Sequence, residues 1–309
     1  MTITNASAGT NPFFSPFDTP RQTAPFQQIR MEHYEPAFEK AMEEQRERVD
    51  AIATNPESPT FVNTIEAMEY SGEMMSRVSN VFFNLLSAES NDEMMELSRQ
   101  LSPRLSEHGN YIYLNEPLFQ RVKAVYDTRH SSGLTPEQVR LTEKYHTDFE
   151  RSGATLSPEG KEKYRQLSIE LSKATLEFGQ NNLRETNAYE MLLTSKEDLA
   201  GLPESLVEAA AAKARSKDKE GWLFDLSAPS YMGFMKYADR RDLREKLYMA
   251  YNTKSVMGGP FDNRENVQKI VNLRLEIARL LGYDTYSEYV LKNRMAKNDE
   301  AVFDLLDEL

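Results

Sequence analysis

Four histidines, His33, His108, His130 and His146, set the limits of imidazole chemistry in this 309-residue chain. No two of them stand at the i, i+4 spacing of an HExxH zinc helix, so no metal ligand is assigned from spacing. Glu143 and His146 make one ExxH pair, the i, i+3 spacing of di-iron bundles, but such a site takes a second pair and two further glutamates. The flanking stretch RLTEKYHTDFER is highly charged, and a solvated helical face is the expectation there, with a bundle metalloenzyme needing tightly bound iron or manganese as an alternative. Cysteine is absent, which removes disulfides, thiolate zinc sites and thiol nucleophiles. No GxSxG elbow offers a serine nucleophile. Gly258-Gly259-Pro260 precedes a helix but follows a helix rather than a strand, with no GKS or GKT after it, so it reads as a turn. The methionine runs GEMMSRV and DEMMELS fall at helical positions, where core filling is expected and a binding groove is the minority reading. Motifs therefore assign no catalytic, metal-binding or substrate-binding residue.

The elements that would position any site are helical. HYEPAFEKAMEEQRERVDAIA carries Phe38, Met42, Val49 and Ile52 at helical spacing, and the two prolines of NPESPTF stop it. A second helix is expected through TFVNTIEAMEYSGEMMSRVSNVFFNLLSAE. Start signals recur at Ser90 with Glu93, Thr135-Pro136-Glu137-Gln138, Ser157-Pro158, Ser195 with Asp198, and Asp262 with Glu265, giving roughly ten helices by the logic of capping boxes and N1 prolines. The strand candidates are Tyr189–Ser195 and Gly221–Ser227, which can pair as a small ribbon around one helix and a charged loop. No fixed-period repeat favours a solenoid. The class is all-α with at most a two-stranded ribbon.

Composition narrows the partners. Aspartate and glutamate outnumber lysine and arginine 49 to 37, and a net charge of −12 without a segregated basic block argues against nucleic acid. The first residues, MTITNASAGTNPFF, lack a basic n-region and an apolar h-region, and no run of about 18 apolar residues spans a membrane, so cytoplasm is the expectation with periplasm left open.

The C-terminal third carries a family resemblance. YMGFMKYADRRDLREKLYMAYNTKS and DNRENVQKIVNLRLEIARLLGYDTYSEYVLKNRMA resemble the segment ahead of the zinc site in the thimet oligopeptidase family of zinc metallopeptidases. The matching positions include Ala238, Arg241, Arg244, Glu245, Tyr248, Ala250, Asp262, Asn263, Leu273, Arg274, Glu276, Ala278, Leu280, Leu281, Gly282, Tyr286, Met295 and Ala296. FQQIRMEHYEPAFEKAM, NPESPTFVNTIEAMEYSGEMMSRVSNVFFNLLSAESNDE and LTSKEDLAGLPES look more like the bacterial peptidyl-dipeptidase (dipeptidyl carboxypeptidase) branch than like oligopeptidase A. The likeness runs over about residues 11 to 309. Read physically, Arg241, Arg244 and Glu245 are spaced for ion pairs, and Leu273, Ile277 and Leu281 form a core stripe, so scaffold rather than catalyst is expected of them.

The resemblance implies an almost wholly helical ellipsoid with a deep channel, acting as a monomer on short unstructured peptides. It implies a zinc cofactor in the full-length parent, where zinc-bound water attacks the peptide carbonyl with the HExxH glutamate as base. Family members run to about twice this length, and the zinc ligands and general base fall in the missing half, so none is carried over and the 309 residues alone are expected to be metal-free and inactive. The domain expectation is an extended arm over 1–25, a helical N-terminal domain over 26–226, and the start of the metallopeptidase domain over 227–309. The last stretch fits an interrupted chain: Asn298 caps a helix whose stripe of Val302, Phe303, Leu305, Leu306 and Leu309, worth on the order of 10 kcal/mol if buried, would pack on the missing catalytic half. A free-standing helical peptide-binding protein and a fragment of an oligopeptidase A-like endopeptidase are the alternatives.

Overall fold

The computed structural model describes residues 11–309, so the first ten residues of the expected arm lie outside the described ones. The chain is all-α with one two-stranded ribbon, and it divides into two compact units: residues 1–173 with 273–309, and residues 174–272.

In the first unit the apolar stripe predicted for the opening helix is the buried face of α1 (Tyr34–Ala53), with Phe38 and Val49 fully enclosed. Phe38 meets Phe82 of α3 (Glu73–Ala88) edge to face at 5.6 Å, and Tyr34 meets the same ring at 5.0 Å. Within the stretch expected as an arm, a 3-10 turn at Pro12–Phe14 inserts Phe13 into this cluster, and Arg77 holds it by donating to the Phe13 carbonyl at 3.0 Å. Helices α4 (Asp92–Tyr113), α5 (Glu116–Thr128) and α6 (Pro136–Arg151) complete the layer, and the methionine runs fill its core, Met74, Met94 and Met95 being buried. α7 (Pro158–Ala188) begins in this unit. Its Leu167 packs with Leu273 and Ile277 of α11 (Arg264–Leu280), and Leu281 lies against them, so the stripe predicted there is core.

The helix predicted through 60–89 is broken. Phe61–Glu66 is π-helical, α2 (Ala67–Ser71) follows, and Gly72 separates it from α3. A side chain at Gly72 would stand 2.7 Å from Nε2 of Gln45, whose Oε1 is 2.7 Å from Nε2 of His108 in α4. The missing Cβ thus lets α1 reach α4 through the break. Of the other start signals, Thr135 and Gln138 form a reciprocal capping box at 3.3 and 3.0 Å and Ser157 accepts the Gly160 N–H at 3.1 Å, whereas Ser195 opens only a 3-10 turn at Lys196–Leu199 and Asp262 accepts the N–H of Arg264, the first residue of α11, from one position ahead of the N-cap. At α4 the cap is Asn91 rather than Ser90, accepting the Met94 N–H at 2.8 Å.

One buried charge organises the turn between α1 and the π-helical segment. Arg121 of α5 is 7% exposed, and its guanidinium donates to the carbonyls of Asn55 (2.8 Å) and Glu57 (2.9 Å), to Asn63 Oδ1 (3.1 Å) and to Thr64 Oγ1 (3.4 Å). No carboxylate pairs with it among the described residues, so these neutral oxygens replace water at Nη1 and Nη2, while its buried Nε has no partner there.

The second unit is built on the ribbon. β1 (Met191–Leu193) and β2 (Trp222–Phe224) pair, as the sequence led one to expect, and run antiparallel with Leu192 opposite Leu223. Gly221, at φ 110°, enters β2 where a Cβ would sit 2.3 Å from the Leu193 carbonyl, a position closed to other residues. Helices α8 (Glu204–Arg215), α9 (Ala228–Tyr237) and α10 (Arg241–Asn252) cover one core of Met191, Leu193, Phe224, Phe234 and Leu247. A buried asparagine network closes the unit: Asn263 donates to the Phe178 carbonyl at 3.0 Å and accepts from Asn181 at 3.1 Å. The ion pairs expected of Arg241, Arg244 and Glu245 are not formed among the described residues. Arg244 instead donates to the carbonyls of Ala238 and Asp239, tying down the turn before α10.

Arg121→Lys keeps the charge but has a point-like donor set that cannot serve four fanned acceptors. It should lose about 2–4 kcal/mol in urea unfolding, and a change under about 0.5 kcal/mol would contradict the role given to the guanidinium. The second expectation concerns acid. Burial, helped by the Arg46 charge, lowers the His108 pKa to about 4. Because the unfolded chain binds that proton near pH 6.5, the stabilisation is complete above that value and is lost as pH falls toward 4, amounting to about 2–3 kcal/mol between pH 7 and 4.5. Urea titrations at both pH values should show this loss in the wild type and a smaller one in His108→Gln.

Candidate functional site

The four histidines are dispersed. His33 ends a 3-10 turn and accepts the Arg30 N–H on Nδ1 at 3.0 Å, His108 serves the α1–α4 bond, and His130 is exposed in the turn after α5. His146 is buried in α6, stacked on Tyr126 at 3.9 Å and 11°, with Nδ1 3.4 Å from Glu150. Burial lowers its pKa, and Lys123 and Arg129 act in the same direction while Glu150 opposes them.

The ExxH pair is already occupied structurally. Glu143 pairs with Arg129 at 3.1 Å, and the Arg129 guanidinium lies 3.8 Å from the Tyr126 ring whose other partner is His146. The helix is not the solvated face its composition suggests, because Thr142, His146 and Phe149 are buried on α5. Among the described residues no group of three or more His, Asp or Glu is placed to hold a metal ion. A zinc site of the family's kind therefore does not fit the residues present, and no catalytic step is assigned to them. The Gly258-Gly259 segment is a turn, with the Gly258 N–H donating to Asp262 at 2.7 Å.

The stretch that carries the resemblance is well anchored up to its last helix. In the first unit Arg151 at the end of α6 donates to the Tyr289 carbonyl at 2.8 Å and lies 4.0 Å from its ring, while the Tyr289 hydroxyl returns to the Arg151 carbonyl at 3.2 Å. These bonds fix α12 (Tyr286–Leu291) on α6, and Arg274 lies 5.2 Å from the Tyr286 ring. Burial raises the pKa of Tyr289 and pushes that of Tyr164 up to about 12.

Beyond this, α13 (Asp299–Glu308) is capped by Asn298, as its sequence predicts, but buries none of its residues. Phe303 is 63% and Leu306 57% exposed, and Asp299, Glu300, Asp304, Asp307 and Glu308 share the helix with no basic residue. The helix thus presents an exposed apolar stripe with an acidic border.

Sequence reasoning missed the buried roles of Arg121 and His108, which depend on partners more than fifty residues away, and it had no local signal for them. No described helix is long and apolar enough to cross a membrane.

Comparison with known proteins bears on the same segment. Residues 234–309 match the model of peptidase family M3. Over 300 residues the chain is 37% identical to dipeptidyl carboxypeptidase of Escherichia coli, covering 97% of this chain and 44% of that protein. It is 33% identical over 304 residues to oligopeptidase A of the same organism, again covering 97% and 44%. Organellar oligopeptidase A of Arabidopsis thaliana is 27% identical over 314 residues, covering 99% of this chain and 39% of the plant protein. The chain thus spans less than half the length of these curated relatives. The match at 234–309 and the likeness along nearly all of its residues make this chain a relative of the family M3 peptidases, the group its sequence resembles.

Proposed function

We propose that this chain is the non-catalytic, N-terminal scaffold of a zinc metallopeptidase that removes dipeptides from the free C-termini of short, unstructured peptides in the cytoplasm. The observation that carries the reading is the 37% identity to a dipeptidyl carboxypeptidase over 97% of this chain and 44% of the relative. On this reading residues 26–226 are a helical wall of the substrate channel and 227–309 open the metallopeptidase domain, in keeping with the family match at 234–309. The zinc and its ligands belong to the polypeptide that completes the family length, and the whole works as a monomer. The exposed stripe of α13 is where that polypeptide docks, since burying Phe303, Leu305 and Leu306 would contribute about 1.5–3 kcal/mol each. A second reading, an oligopeptidase A-like endopeptidase, is favoured by the 33% identity over the same residues.

The test uses the family-length protein and a short peptide in two forms, with a free C-terminus and as its C-terminal amide, each with and without chelator. Product masses should show dipeptide release from the free acid alone, abolished by chelator, and Leu306→Asp should cut this activity while changing the stability of the 309-residue chain by less than about 0.5 kcal/mol. Equal internal cleavage of both forms would favour the endopeptidase. Chelator-resistant cleavage by the 309 residues alone would contradict both readings.

A further inference from the structure

Two clefts on the first unit share the side chain of Arg46 of α1. The narrower, about 460 Å³, lies between α1, the end of α4 and the first turns of α7. The wider, about 660 Å³, continues along α1 past Glu43 and Glu47. Arg46, Glu107 and Tyr111 line both.

The other cations of these clefts are committed. Lys161 pairs with Glu116 at 2.5 Å, Arg165 with Glu162, and Arg104 with Glu39 at 2.9 Å. Asp50 is occupied as well, accepting the Tyr111 hydroxyl on both oxygens at 2.6 and 2.7 Å. Arg46 has no carboxylate within ion-pairing distance among the described residues, and its buried Nε has no hydrogen-bond partner. Its guanidinium is half-buried 5.2 Å from the centre of the Tyr111 ring. Glu43, Glu47 and Glu107 are exposed and form no ion pair among the described residues.

A guanidinium resting on an aromatic face, with no carboxylate partner among the described residues, selects a planar carboxylate, which can take two of its N–H groups at once. A polyanion is disfavoured, because three free carboxylates stand around the same clefts, and these attract a cation instead. We propose that this cleft binds a zwitterion of dipeptide size, its carboxylate on Arg46 and its ammonium toward Glu43, Glu47 and Glu107. The volume of about 460 Å³ is within the range of small-molecule sites, roughly 300–1,000 Å³. The site lies apart from α13 and needs no catalytic half, so it stands or falls independently of the peptidase reading.

The experiment titrates the 309-residue chain with Ala-Leu, Ala-Leu amide and acetyl-Ala-Leu, following binding by calorimetry and by amide chemical shifts. Ala-Leu should bind saturably, and each blocked form about tenfold more weakly, since each loses one charge-assisted contact. Arg46→Gln, checked for unchanged helicity, should bind the free acid no better than its amide. Glu43→Gln with Glu47→Gln and Glu107→Gln should instead erase the preference for the free amine over the acetylated form. The proposal is overturned if no saturable binding appears up to ~10 mM, if acid and amide bind equally to the wild type, if Arg46→Gln binds as the wild type does, or if inorganic phosphate competes as well as the dipeptide.

Discussion

The guanidinium of Arg121 is the interaction on which the first unit depends. The chain leaves α1 through a stretch with two prolines, Asn55 to Thr60, where few backbone groups can pair with one another. Arg121 reaches in from α5 and gathers the carbonyls of Asn55 and Glu57 together with the side chains of Asn63 and Thr64. Asn63 in turn accepts the Thr60 N–H at 2.8 Å, so the start of the π-helical segment is set by the same cluster. Phe61 and Ile65 are then carried into the core beside Val49, Leu118 and Phe149. A buried charge is tolerated only when oxygens replace its water, and here they are also the oxygens that the turn could not otherwise satisfy.

How much of this was legible follows from the range of each interaction. The face of α1, the Thr135 box and the Asn298 cap are written within a few residues and read correctly from spacing alone, and the two ribbon segments, though not their register, are marked in the sequence. The break at Gly72 was not legible, and the side chain beside it, Gln45, lies twenty-seven positions earlier and bonds His108 in a third helix. Arg244 read as an ion-pair partner because charge is visible in a sequence and a free carbonyl is not. Arg121 was silent for the same reason. His146 looked solvated by its neighbours' composition, whereas the Tyr126 ring that covers it belongs to the preceding helix.

For the site the balance is different. The missing HExxH spacing was readable at once, whereas the separate turns and helices that hold the four histidines became visible only in the fold. The family likeness came from residue identities in order, which no periodicity would have supplied; of those residues Leu273 lies in the core, Asn263 in the buried asparagine network and Tyr286 beside Arg274, while Arg241, Glu245, Tyr248 and Met295 are exposed. The exception is α13, none of whose side chains is buried among the described residues.

The central claim is that these residues form a scaffold and that the zinc chemistry is supplied by the polypeptide completing the family length. It is tested most directly by equilibrium dialysis against zinc followed by metal analysis of two samples, the 309-residue chain and the family-length protein. The account predicts no stoichiometric zinc in the first and one ion per chain in the second. One tightly held zinc per 309-residue chain, retained after dialysis and released when His146 or His108 is replaced, would contradict it.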